Sequence, residues 1–202
     1  MTTLELLDHL DDDPFDPRPV IDIDAATAAA RDLLAALGAD LDAPGLHHTP
    51  RRVATAFAEL LTPRPFNATT FPNDEGYDEL VLAQGIPFSS LSEHHARPFI
   101  GVAHVGYIPG DRILGLSKLA RVVELFARRL QVQERMTVQI ADWLQDRLAP
   151  KGVGVVLDAE HLCMSLRGVR HPGSRTTTSA AHGLLRDDAR SRQEFFALTK
   201  QG

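Results

Sequence analysis

The apolar period of this chain changes twice between Phe99 and Ala159, and that change restricts the fold more than any other feature. Phe99-Ile100-Gly101-Val102-Ala103-His104-Val105-Gly106-Tyr107-Ile108-Pro109 is β-branched and aromatic and stops on a proline, which predicts a strand. From Leu116 to Leu130 the apolar residues Leu119, Val122, Val123, Phe126 and Leu130 step as one face of an amphipathic helix. A second helix is expected from Val132 to Leu148, ended by Pro150-Lys151-Gly152, and Gly152 to Ala159 reads as a strand again. Strands flanking a helix pair fit an α+β domain, an antiparallel sheet with two helices packed on one face.

Shorter strands are expected at 79–84 and 86–91, and another at 163–170. Two helices precede the sheet. The first runs from Asp24 to Leu37 with Gly38 as terminator. The second runs from Arg51 to Leu61, with Thr49 as N-cap, Pro50 at the first helical position and Pro63 and Pro65 as the stop. A last helix is expected near Ser191 to Lys200. The chain thus divides into a flexible acidic arm over residues 1–22, rich in Asp and Pro, a helical region over 23–65, and the sheet domain over 66–202.

With 202 residues, 44% hydrophobic and 24% charged, the chain can bury one ordinary core plus an added helix or arm. Its start lacks the basic and apolar regions of a secretory signal, and no run reaches the roughly 18 apolar residues of a membrane span, so a cytoplasmic location without membrane contact is expected. A net charge of −6 argues against nucleic acid as the main partner. The single cysteine, Cys163, has no partner for an internal disulfide. It is either a buried small hydrophobe or a thiol kept for chemistry.

Ser92-Glu93-His94-His95 offers two imidazoles side by side. Adjacent residues of a strand point to opposite sides, so one histidine could meet a metal ion while the other handles protons, or both could be solvated loop residues. His161 and Cys163 form a second short cluster of zinc-ligand types. Ser117, Lys118, Arg121, Arg128, Arg129 and Arg135 lie in or near the helix pair, with Arg167 and Arg170 beyond. Lys118 and Arg121 share a face near a helix start, where backbone N–H groups attract anions; this suits phosphate, the alternative being a solvated basic face. Gln133 and Glu134 sit at the junction of the two helices, where a carboxylate is either solvated or free to accept two parallel N–H bonds from a guanine edge.

Five segments taken together resemble the GTP cyclohydrolase I family: TPRRVA at 49–54, SEHHARPFIGVAHVGYIPG at 92–110, GLSKLARVVELFARRLQVQERMT at 115–137, DAEHLCMSLRGV at 158–169 and TTTS at 176–179. The resemblance implies a T-fold: an antiparallel sheet with two helices on one face and extra N-terminal helices, assembled as a homodecamer of two pentamers with active sites at subunit interfaces. It also implies hydrolysis of GTP to 7,8-dihydroneopterin triphosphate and formate, the first step towards folate and other pterins, with Zn2+ as cofactor activating the water that attacks C8. Carried over by position, His94 is the proton-transferring histidine and His161 a second active-site histidine. His95 and Cys163 match zinc ligands, and Glu134, with Gln133 beside it, matches the guanine anchor. Ser117, Lys118, Arg121 and Arg167 match groups around the triphosphate and ribose, and Arg52 is a further phosphate candidate.

Ser92 departs from the family pattern, which has cysteine there. A neutral alcohol is a far poorer zinc ligand than a thiolate. The expectation is a weakened metal site: zinc held with reduced affinity, another divalent metal in its place, or none. Two alternatives follow: a catalytically silent member that binds GTP or a related purine nucleotide, and a diverged purine-nucleotide ring-opening enzyme.

Overall fold

The computed structural model describes residues 19–65 and 67–200. Of the arm expected over 1–22, residues 1–18 lie outside the described residues. Asp22 caps helix α1 (Ile23–Ala36), its carboxylate accepting from the backbone N–H groups of Asp24 and Ala25. Gly38, at φ +86°, ends that helix in the left-handed conformation that glycine adopts without strain. Helix α2 (Thr49–Leu61) packs on α1. It begins one residue earlier than expected: His48, not Thr49, holds the capping position, and no side chain caps the helix.

Strand β1 (Thr70–Pro72) pairs only with β4 (Arg112–Leu114), as a small antiparallel ribbon. The main sheet contains β2 (Val81–Ser92), β3 (Pro98–Ile108), β5 (Leu130–Gln131), β6 (Gly152–His161) and β7 (Arg175–Gly183), in the order β5-β2-β3-β6-β7. Its pairings are antiparallel except for the short parallel contact of β5 with the end of β2. The two strands expected at 79–84 and 86–91 are one strand. A bulge at Gln84-Gly85, with Gly85 at φ +64°, interrupts the alternation without ending the pairing.

Helix α3 (Leu116–Ala127) packs on β2, and α4 (Gln133–Leu148) packs on β6 and β7. Their apolar faces fill one side of the sheet: Leu119, Val122, Val123 and Phe126 from α3, and Met136, Ile140, Trp143 and Leu144 from α4, meet Phe99, Val105, Tyr107, Val155 and Leu157. The helix expected to reach Leu130 stops at Ala127, which frees Leu130-Gln131 to pair with Leu91-Ser92. That early stop brings the start of α4 beside the end of β2.

The opposite face carries a smaller cluster in which Ile108, Val156 and Leu185 surround Phe195. Phe195 belongs to α7 (Ala189–Thr199), which follows the single turn α6 (Leu184–Asp187) and is capped by Asp188. Gly154 makes room for this ring: a Cβ there would lie 2.8 Å from Phe195 Cζ.

The strand expected at 163–170 is absent. Leu162–Ser165 forms one helical turn, α5, and Gly168 (φ +63°) and Arg170 (φ +50°) take left-handed conformations that no strand accommodates. The edge strand is instead β7, whose Arg175-Thr176-Thr177-Thr178 start is rich in β-branched residues.

Candidate functional site

Three ladders converge at one end of the sheet. Ser92 closes β2, receives Gln131 as its parallel neighbour and donates its backbone N–H to Arg97 O across the hairpin. Phe99, two residues past Arg97, lies opposite His161 at the end of β6, and α5 with Cys163 follows and packs on β3. The strand register therefore places Ser92, the turn at 93–97, the start of α4 and the His161–Cys163 segment at the same end.

His94 and His95 occupy the turn rather than a strand, so alternation does not set their directions. Ala96, at φ +48°, donates its backbone N–H to Ser92 O at 2.8 Å, and the two exposed rings stand 6.3 Å apart at 77°. Glu93 fastens this turn to α4 through Arg135, whose guanidinium holds the Glu93 carboxyl below the usual carboxylate range. Arg135 also donates to Gln131 Oε1 at 3.2 Å.

His161 is the most tightly held titratable group here. Its ring stacks on Phe99 with centroids 4.8 Å apart and planes 3° from parallel. Its Nε2 lies 2.7 Å from Gln133 Oε1. The amide nitrogen of Gln133 donates to Leu157 O, Thr176 O and Thr178 Oγ1, so the Oε1 is the atom left to accept. His161 thus carries its proton on Nε2 and presents a lone pair at Nδ1. Burial lowers its pKa, and the nearby charge of Glu134 acts in the opposite direction.

Gln133 is 1% exposed and its side-chain amide is engaged with Leu157, Thr176, Thr178 and His161. It positions His161. Glu134, its neighbour, is exposed at the first turn of α4.

The loop after α5 is pinned by Glu160, whose Oε1 accepts from Ser165 Oγ and from the backbone N–H of Gly173. Arg167 projects from that loop, exposed.

A cleft of about 600 Å³ runs between α3 and the β2–β3 pair. Ser117 and Arg121 line it together with Arg64, Glu124 and Arg128. Its lining does not include Lys118, nor the histidines, Glu134 or Cys163 of the sheet end. Arg52 lies in another cleft, with His48, Arg51 and Glu59 on α2. Three residues of consequence gave no sequence signal: Arg64 and Glu124 on the α3 cleft, and Glu160 under the loop. Glu124 stands three residues from Arg121 on one helical face, but the partner that holds it most firmly, Arg64, lies 60 residues away, and the bonds of Glu160 cross a turn.

The donor set is a poor match to tightly held zinc. His95, Cys163 and the Ser92 hydroxyl supply one imidazole and one thiol beside a neutral alcohol, where a catalytic zinc takes three strong protein ligands. Among the described residues no group of three or more His, Cys, Asp or Glu side chains is arranged to hold a metal ion.

Residues 26–200 match the profile of the GTP cyclohydrolase I family. The GTP cyclohydrolase 1 of Mycobacterium tuberculosis is 55% identical over 184 residues, covering 89% of this chain and 91% of that protein. That of Mycobacteroides abscessus is 54% identical over 186 residues, covering 89% and 90%. That of Corynebacterium glutamicum is 51% identical over 184 residues, covering 89% and 94%. A profile match that begins within α1 and takes in α2 and the whole sheet, with relatives of this identity, establishes that the chain belongs to the GTP cyclohydrolase I family.

Proposed function

We propose that this protein hydrolyses GTP to 7,8-dihydroneopterin triphosphate and formate, with a weakened metal site. One water is consumed in net: two waters add at C8 and their oxygens leave with that carbon as formate, and one water is released when the ribose carbons close the pterin ring. The observation that carries the reading is the held imidazole of His161 beside the exposed carboxylate of Glu134, at the same sheet end as the His94–His95 turn.

Each residue has a role its placement supports. Glu134 accepts the parallel N–H pair of the guanine edge, a contact that adenine does not offer. His94, exposed on its turn, moves protons at N7 of the purine, and the Nδ1 of His161 is a second proton acceptor. Ser117, Lys118, Arg121 and Arg167 serve the triphosphate and ribose, and Arg52 is a further phosphate contact. Their distribution over separate clefts of one chain fits sites completed between subunits, in a homodecamer of two pentamers. The open outer edge of β7, which pairs only with β6, is suited to such assembly. His95, Cys163 and Ser92 are the residues that would hold a divalent cation, zinc first, which would supply an activated water. The protein belongs in the cytoplasm with other enzymes of pterin and one-carbon metabolism.

The incomplete donor set favours one second reading, a catalytically silent member that binds GTP. Incubation with GTP and zinc separates the two: formate release with pterin fluorescence supports the enzyme, and GTP binding without either product supports the silent member. Ser92→Cys sharpens the test. Adding the thiolate raises zinc affinity by more than the roughly 10- to 100-fold of an outer-shell contact and speeds formate release. Unchanged metal content would remove position 92 from the metal site.

A further inference from the structure

We propose that Arg64 sets the charge of the α3 cleft: it neutralises Glu124, so that the positive charge of Arg121 stays available to the phosphate chain of a bound nucleoside triphosphate. The inference rests on the assignment of Arg121 to the triphosphate and adds to it two residues that the family resemblance did not point to.

Glu124 lies three residues after Arg121 on α3, on the same helical face and beside the same cleft. A lone carboxylate in that position would pair with Arg121 and repel a polyanion. Glu124 is largely buried, with a side chain 14% exposed, so this charge is not simply dissipated into solvent. Arg64 answers it with a two-pronged contact: its Nε and Nη2 donate to the two carboxylate oxygens, each at 2.7 Å, and its backbone N–H donates to Oε1 at 3.3 Å. Arg121 makes one bond to the same carboxylate, at 3.1 Å. Arg64 is thus the principal counter-ion, and Arg121 is the partner held by the single, longer contact.

The surrounding chain supports this division. Arg64 stands between Pro63 and Pro65, whose fixed φ angles stiffen the segment that presents its guanidinium. Arg128, the third arginine of the cleft, donates to Glu59 O at 2.7 Å and is not turned to Glu124. Burial pushes the Glu124 carboxyl up, but its bonds with Arg64 more than offset this and leave it below the usual range, ionised at neutral pH. With Arg64 present, three guanidinium groups and one carboxylate line the cleft; without it two guanidinium groups remain, and the one bonded to Glu124 is Arg121.

The test is calorimetric titration of GTP and of guanosine into four proteins: wild type, Arg64→Gln, Glu124→Gln and the double variant. Arg64→Gln weakens GTP by about fivefold, the reach of a surface charge pair, because Glu124 then falls on Arg121. Glu124→Gln tightens GTP to a similar degree. The double variant binds GTP as tightly as Glu124→Gln alone, because Arg64 has nothing to neutralise once that carboxylate is gone. Guanosine, which lacks the phosphates, binds all four alike; a general loosening of the fold would weaken both ligands and both single variants in one direction.

Unchanged GTP affinity in Arg64→Gln overturns the proposal. So does a double variant about fivefold weaker than Glu124→Gln, because Arg64 would then act on the phosphates in its own right. Arg121→Ala separates the inference from the reading beneath it. If that variant keeps full GTP affinity, the triphosphate assignment itself fails; if it loses affinity while Arg64→Gln does not, only the role of Arg64 fails.

Discussion

The sheet end and the α3 cleft belong to one proposed function but are held together by opposite means. At the sheet end, Gln133 is buried and spends its amide on two main-chain carbonyls, a threonine hydroxyl and His161, whose ring lies flat on Phe99. In the α3 cleft, Arg64, Glu124 and Arg121 are joined by ion pairs near the surface. Leaving a buried polar group unsatisfied costs about 1–3 kcal/mol, whereas a surface ion pair contributes about 0–1 kcal/mol. The sheet end therefore fixes atoms and the cleft supplies charge. A purine that must be recognised by its edge and protonated at one nitrogen needs the first kind of site. A triphosphate, with many torsions and a large charge, is served by the second.

The largest effect expected from this contrast lies at Glu134. Glu134→Ala removes both acceptors offered to the guanine edge, and at about 1.5–3 kcal/mol for a hydrogen bond to a charged group it weakens GTP by about a hundredfold. Equilibrium titration with GTP reads this directly, and unchanged affinity would take the guanine away from this carboxylate. The next effect belongs to its neighbour. Gln133→Leu leaves His161 Nε2 and the carbonyls of Leu157 and Thr176 without their partner, and lowers unfolding stability in urea by about 2 kcal/mol. A loss no larger than a surface pair gives, about 0.5 kcal/mol, would show the sheet end to be no more firmly built than the cleft.

Much of this contrast could be read in the sequence, though unevenly. The amphipathic stepping of Leu119, Val122, Val123 and Phe126 gives α3, because one buried face imposes one period. That Ser92, the turn carrying His95 and the segment carrying Cys163 share one end of the sheet has no such local signature. It arises from strand register, through Leu91 opposite Pro98 and Phe99 opposite His161. The segment at 163–170 reads as a strand in the sequence but folds as a turn and loop, since its apolar residues Leu166 and Val169 remain exposed and its turns depend on Gly168 and Arg170. β7 was missed although Thr176, Thr177 and Thr178 favour a strand, because a polar edge strand lacks the apolar alternation that marks a half-buried one. Arg64 and Glu124 meet across 60 residues, and no pattern in the chain foretells which of its arginines a given glutamate will hold.

The smallest effect is also the one that distinguishes the two regions by pH. Burial lowers the pKa of both His161 and His104. His104 lies on β3, is 5% exposed, and its Nδ1 has no hydrogen-bond partner among the described residues. Both histidines are therefore neutral in the folded protein under conditions in which the unfolded chain, with a histidine pKa near 6.5, takes up protons. Their contribution to stability is full above that value and is lost as pH falls towards their lowered folded values, because the unfolded state binds more protons in that window. The Arg64–Glu124 pair contributes no slope there, since the Arg64 guanidinium and the Glu124 carboxylate stay ionised throughout. Urea midpoints measured between about pH 7.5 and 5.5 should decline with acid in the wild type and decline less steeply in His104→Asn, while Arg64→Gln keeps the wild-type slope. If Arg64→Gln flattens the profile and His104→Asn leaves it intact, the acid sensitivity belongs to the cleft, and the division between a region that fixes atoms and one that supplies charge does not hold.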